Sequence, residues 1–143
     1  MDDMDRTIVA LLGQDARMSV ATLARRLKVA RSTVQARLER LETSGTIVGY
    51  TVKLGAAARA SRIRATVLLT VEPRAQPAIL GRLKAIPEIE VLHSTSGRFD
   101  LMAEVAAEGT AALDAVLDQI GAMPGVKASE TLIHLTTRID RAT

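Results

Sequence analysis

The chain has 143 residues, 48% of them hydrophobic, and carries 19 Lys and Arg against 16 Asp and Glu for a formal net charge of +3; that length suits one ordinary domain or two small ones. It contains no cysteine, which excludes a disulfide framework or a thiolate metal site, and its only aromatic rings are Tyr50 and Phe99, too few for the base stacking that single-stranded nucleic acid requires. The opening MDDMDR is acidic without an apolar signal region and no run approaches a membrane span, so a soluble cytoplasmic protein is expected.

Asp2 to Leu12 reads as a helix, capped by Asp2 or Asp3, with Met4, Ile8, Leu11 and Leu12 on one face and Gly13 ending it. Ser19 opens a second helix, with Met18 and Leu23 placed for a hydrophobic staple. Leu23, Ala24 and Leu27 form its inner face, and Lys28-Val29 makes a turn. A third helix follows, in which Val34, Leu38 and Leu41 fall at i, i+4 and i+7. Ser32 with Gln35 fits a capping box, so this helix is expected to begin at Ser32.

The other face of the third helix carries Arg31, Ser32, Thr33, Gln35, Ala36, Arg37 and Arg40. These residue types read duplex DNA: Gln pairs with adenine, Arg with guanine, an Ala methyl meets a thymine methyl, and Ser or Thr serves several bases. A basic helix alone is usually a solvated face. Two helices, a short turn and this outward cluster together make a helix-turn-helix. Ser32, Thr33 and Gln35, with Ala36 beside them, are candidates for base edges. Arg37 is a candidate for a base or a phosphate, and Lys28, Arg31 and Arg40 for phosphates. Charge agrees: residues 1–60 hold ten Lys/Arg and six Asp/Glu, a surplus of four, while residues 61–143 hold nine and ten, a deficit of one.

Gly45 is a helix stop, and the β-branched run Thr46–Leu54 reads as a strand leaving the first domain. Gly55–Ser61 is small and weakly patterned, a linker or a helical turn. The division expected is 1–54, 55–61 and 62–143. Arg62–Glu72 alternates as a strand ended by Pro73; Pro77–Ile86 is a helix; Glu88–Ser96 and Phe99–Ala106 are strands joined by a turn at Ser96-Gly97-Arg98. Thr110 is expected to cap a last helix through Leu113, Val116, Leu117, Ile120 and Met123, with Ser129–Ile139 as the last strand.

A faint repeat links Leu83–Ile89 (LKAIPEI) with Ile120–Val126 (IGAMPGV). The order βαββαβ is ferredoxin-like, with both helices on one face of a four-stranded antiparallel sheet. The whole is an α+β chain. On the opposite face Leu68, Leu92, Met102 and Leu132 are apolar, and such a face usually means burial against a partner.

From Met4 to Leu54 the chain resembles the Lrp/AsnC (feast/famine) family of bacterial and archaeal regulators. The residues that carry the likeness are Asp5, Ile8, Leu12, Asp15, Arg17, Ser19, Leu23-Ala24, and V-x-x-R-L-E-R-L-E-x-x-G-x-I-x-G-Y-T from Val34 to Thr51. The second half matches at His93 to Asp100 (H-x-x-S-G-x-x-D) and at Met123 to Val126. One departure is Ala30, where the family often has Ser. The resemblance implies a winged-helix-like DNA-binding domain followed by a RAM/ACT-like domain. It also implies a second copy packed sheet to sheet on the open face, and higher assemblies such as four dimers in a ring.

The resemblance further implies that the turn Gly97-Arg98-Phe99-Asp100 lines a pocket between dimers for an amino acid or related metabolite. Thr131, Leu132, Ile133 and His134 would meet the ligand from across the contact. Read without the family, the same residues make a tight turn.

His93 and His134 have no cysteine and no metal-ligand spacing around them, and no phosphate loop or nucleophile arrangement is present. No catalytic residue, metal or cofactor is expected. Three readings stand: a ligand-responsive transcription factor binding an imperfect palindrome in double-stranded DNA; an enzyme, since sirohaem-type decarboxylases share this two-domain architecture; and an interaction module with a decayed helix-turn-helix, against which Arg31, Gln35, Arg37 and Arg40 argue.

Overall fold

The computed structural model describes residues 1–141. The chain forms two compact units, Met1–Lys53 and Leu54–Asp140. In the first, α1 (Asp3–Gln14), α2 (Val20–Leu27) and α3 (Arg31–Thr43) enclose Ile8, Leu12, Leu23, Ala24, Val34 and Leu41. Met18 packs against the same cluster as Leu23, as a staple requires.

Local side chains start two of these helices. The Asp2 carboxylate accepts the Asp5 N–H at 2.9 Å, and the Asp5 carboxylate accepts the Asp2 N–H at 3.2 Å, a reciprocal box opening α1. The helix continues through Gly13 to Gln14, because the Asp15 N–H still reaches the Leu11 carbonyl at 3.0 Å. Ser19 accepts the Thr22 N–H at 3.1 Å and opens α2. That helix ends on Lys28 in the left-handed region (φ 57°, ψ 44°), the turn expected at Lys28-Val29.

The third helix begins earlier than its capping box suggests. Ala30 is its N-cap, and its carbonyl already accepts the Thr33 and Val34 N–H groups at 3.1 and 3.3 Å. Ser32 therefore lies inside the first turn and caps nothing. The strand expected at Thr46–Leu54 is also absent. Gly45 turns the chain at φ +78°, the Ile47 N–H closes on the Leu41 carbonyl, and residues 48–55 run without regular structure. A β-branched run becomes a strand only beside another strand, and among the described residues none pairs with it. The winged-helix likeness is limited to the three helices.

The second unit opens with a one-turn helix, α4 (Ala56–Arg59), inside the stretch read as linker. Then follow β1 (Ile63–Val71), a 3₁₀ turn at Pro73–Ala75, α5 (Gln76–Lys84), β2 (Ile89–Ser94), β3 (Leu101–Ala107), α6 (Thr110–Gly121) and β4 (Val126–Ile133). The sheet order is β2-β3-β1-β4 with every pair antiparallel, the ferredoxin-like arrangement. Ala65, Val67, Leu69 and Val71 alternate inward against Ile79, Leu83, Leu113, Val116 and Ile120.

The faint sequence repeat is a structural one. Ile86 N–H donates to Leu83 O and Met123 N–H to Ile120 O, both at 3.1 Å; Ile89 N–H donates to Ile86 O and Val126 N–H to Met123 O, both at 3.2 Å. Two residues past the end of each helix a buried apolar residue, Ile86 or Met123, anchors the turn before the strand begins.

Three local expectations are corrected. Gly109, not Thr110, is the N-cap of α6, which has no side-chain cap. The last strand is β4 at Val126–Ile133 rather than Ser129–Ile139, because His134 N–H bonds Arg64 O and β1, its pairing partner, begins at Ile63. Leu92 faces the helices. A register shift between Ile89 and Val91 inserts one residue into β2, so Leu92 pairs with buried Ala103 and joins the core.

Candidate nucleic-acid interface and ligand turn

Val34 and Leu41 are fully buried and Leu38 is half-buried, so the opposite face of α3 is presented outward. Arg31, Ser32, Gln35, Ala36 and Arg40 are exposed and Thr33 is half-buried. Ser32, Thr33 and Gln35 enter none of the side-chain hydrogen bonds among the described residues, which leaves their polar groups to solvent or a ligand. Lys28 is exposed at the turn, and α2 ends with Arg25 and Arg26 in its last turn. The Tyr50 hydroxyl donates to Glu42 Oε1 at 2.8 Å, holding the chain after α3 against that helix. Burial first, then the Glu42 carboxylate, push the Tyr50 phenol above its usual value.

Arg37 is placed differently from its neighbours. Its Nη1 lies 2.6 and 2.5 Å from the two Asp2 carboxylate oxygens and 3.2 Å from Asp5 Oδ1. Asp5 is 3% exposed and is the buried charged residue of the unit. The guanidinium beside Asp2, followed by the Asp5 backbone N–H, holds the Asp2 carboxyl at about 2, below the usual 3.8. The same carboxylates hold Arg37 above its ordinary value. Without DNA, the Arg37 side chain, a candidate for a base or a phosphate, is turned to the start of α1. The spacing contained the signal. Arg37 stands at i+3 from Val34 and i−4 from Leu41, on the edge of the buried stripe.

In the second unit, the turn after β2 is held from several sides. Gly97 has φ +120°. Thr95 N–H donates to Asp100 O at 2.9 Å, and the Thr95 hydroxyl to Phe99 O at 2.6 Å. Asp100 N–H donates to Leu69 O at 2.8 Å, and Asp100 Oδ2 accepts the Val71 N–H at 2.9 Å. Asp100 therefore latches the turn to β1 through one of its oxygens. Arg98 lies 5.2 Å over the Phe99 ring and 3.8 Å from Glu130. Thr131–His134 are not brought to this turn within one chain. They pair with the Arg64–Val67 half of β1, whereas the turn sits beside Leu69 and Val71.

The open face of the sheet is mixed rather than simply apolar. Val91, Glu104, Thr66 and Leu132 form one cross-strand row; His93, Met102, Leu68 and Glu130 form the next. Some of its polar groups are joined, while Arg64 Nε is buried without a partner among the described residues. Thr66 Oγ1 lies 3.0 Å from Glu104 Oε1 and 2.8 Å from His134 Nε2, and Arg64 pairs with Glu90. Both histidines are sheet-surface residues, and among the described residues no group of three His, Cys, Asp or Glu could hold a metal ion. None of the described helices is long and apolar enough to cross a membrane.

Residues 1–42 match the AsnC-type helix-turn-helix domain family, and residues 64–143 match the Lrp/AsnC ligand binding domain family. The chain is similar to the HTH-type transcriptional regulator LrpA of Mycobacterium tuberculosis, 31% identical over 142 residues covering 99% of this chain and 95% of that protein. Its fold is similar to that of E. coli AsnC, with a TM-score of 0.88 at 24% identity over 100% of this chain and 97% of that one. It is also similar to that of a transcriptional regulator from Neisseria meningitidis solved as a complex with L-Met. There the TM-score is 0.86 at 20% identity, over 98% of this chain and 93% of that one.

Proposed function

This chain belongs to the Lrp/AsnC family of DNA-binding transcriptional regulators, and from that premise we propose that it binds an imperfect palindrome as a dimer, one α3 entering each major groove. Half-sites one helical turn apart (~34–36 Å), or a multiple of that, would match a two-fold dimer. Ser32, Thr33 and Gln35, with Ala36, read base edges; Lys28, Arg31 and Arg40 hold phosphates. The observation that carries this reading is the outward face of α3, where hydroxyl and amide groups stand without partners among the described residues.

The unit Met1–Lys53 serves DNA and Leu54–Asp140 serves pairing and the effector. Sheet-to-sheet packing of two copies buries Leu68, Met102 and Leu132. Part of the polar surface it covers is satisfied within the sheet, because Thr66 is hydrogen-bonded to both Glu104 and His134. The effector is an amino acid or a related small metabolite, taken between dimers by Gly97–Asp100 of one chain and Thr131–His134 of another. The separation of these segments within one chain and the L-Met complex of the Neisseria regulator support that reading. Such a ligand shifts assembly only by its differential affinity for the two arrangements.

The test is a duplex enriched from a random-sequence pool. Gln35→Ala should relax preference at one base position by about 1–3 kcal/mol, while Arg40→Ala should weaken all duplexes alike and reduce the salt slope by about one. Identical effects of the two substitutions on every operator variant would remove the assigned roles.

A further inference from the structure

The expected DNA-contacting arginines separate into two kinds. Arg40 has a side chain 64% exposed, and its Nη2 stays 3.6 Å from Asp5 Oδ2, too far for a hydrogen bond. It can swing to a phosphate. Arg37 is 23% exposed at its side chain, and its Nη1 lies within 3.2 Å of three oxygens from two carboxylates. Withdrawing Arg37 toward DNA would leave the Asp5 carboxylate, 3% exposed, without its closest cation, and an unpaired buried charge is strongly unfavourable. Asp5 is held in turn by the reciprocal box with Asp2 that starts α1. A rigid element of one helix thus grips one side chain of another.

We propose that Asp5 is a positioning residue for operator recognition: with Asp2 it removes Arg37 from the DNA-contacting set and fixes how α3 is turned against α1. This rests on α3 as the reading helix. The apolar contacts of Val34 and Leu41 are non-directional and tolerate rotation of α3 about its axis. The Arg37 Nη1 between two carboxylates does not, since the planar guanidinium holds its N–H donors in fixed directions. The grip also sets specificity by subtraction. A mobile Arg37 would add a sequence-independent phosphate contact, which raises affinity for any duplex and dilutes discrimination.

The experiment uses the full chain, a duplex enriched from a random pool by the wild type, and a scrambled duplex of the same composition. Affinity for each is measured across a salt series. Arg37→Met keeps the aliphatic stem and should leave the salt slope at its wild-type value, whereas Arg40→Ala flattens it by about one. Asp2→Asn with Asp5→Asn, which keeps size but removes both carboxylates that Arg37 Nη1 touches, should bind scrambled DNA more tightly, steepen the slope by up to about one, and lower the enriched-to-scrambled ratio. Adding Arg37→Met to that pair should bring the slope back toward wild type, a rescue that general destabilisation would not show, while the ratio stays lowered because nothing then fixes how α3 is turned. A slope flattened by about one in Arg37→Met would make Arg37 a phosphate contact and overturn the proposal. So would equal loss of both duplexes in the Asp2→Asn, Asp5→Asn chain with no recovery of slope on adding Arg37→Met. Gln35→Ala is the separate check on α3: unchanged base preference there removes the reading helix itself, and this proposal with it.

Discussion

A single methyl added at Gly125 should destabilise the second unit by about 2–5 kcal/mol. The residue has φ +95°, and a Cβ built there would lie 2.3 Å from the Ala75 Cβ and 3.4 Å from Ile79 Cδ1. Ala75 has little room to retreat. It belongs to the 3₁₀ turn whose N–H bonds Glu72 O at 2.9 Å, and the Glu72 N–H is itself bonded to Gly125 O at 2.7 Å. Left-handed backbone strain contributes about 1–2 kcal/mol and forced overpacking about 1–3 kcal/mol. Against a typical total of about 5–15 kcal/mol, that is a large fraction. The repeat supplies an internal contrast, since Glu88 takes the matching place after Pro87 without a positive φ.

Hydrogen exchange of β1 and β4 amides in urea, read by mass spectrometry, follows this unit separately from the helices. Gly97→Ala is the control for strain without a clash, because its φ is +120° and nothing lies within 4 Å of the added Cβ. Gly125→Ala should exceed Gly97→Ala by about the overpacking contribution, 1–3 kcal/mol, and Ala75→Gly should recover part of that excess. Equal losses in Gly125→Ala and Gly97→Ala would refute the packing argument.

Ala30→Ser should stabilise the first unit by about 1 kcal/mol, measured by thermal melting, because α3 has no side-chain cap and a serine oxygen there can accept the Thr33 N–H. Leu68→Glu should break the proposed dimer, seen as a halved mass by light scattering; the new carboxylate would stand directly opposite Glu130 on β4. The Asp2–Arg37 contact depresses a carboxyl from 3.8 to about 2. Its stabilisation should therefore be fully present above the higher value and vanish as pH falls through the lower, so wild type and Asp2→Asn converge in acid denaturation. Asp100→Ala should abolish calorimetric binding of any amino acid the wild type binds, and should also cost about 1–3 kcal/mol by leaving the Val71 N–H without its acceptor.

The sequence by itself was enough where the controlling interactions are local. Asp2 and Ser19 cap helices whose first N–H groups lie within three residues, and the alternation of Ala65 through Val71 names the inner face of β1 without knowledge of its neighbours. The βαββαβ order, both helical repeats and the outward cluster on α3 follow from the same short-range periodicity. What only tertiary structure decided involves partners far along the chain. Thr46–Leu54 has strand composition but no strand beside it. Leu92 faces the helices because one extra residue in β2 reverses the parity of its side chains, a shift that alternation alone cannot register. The placement of the Arg37 side chain is decided for the same reason. Its charge is answered by Asp2 and Asp5, more than thirty positions away, and a buried carboxylate sets where an arginine points only after folding has removed the water between them.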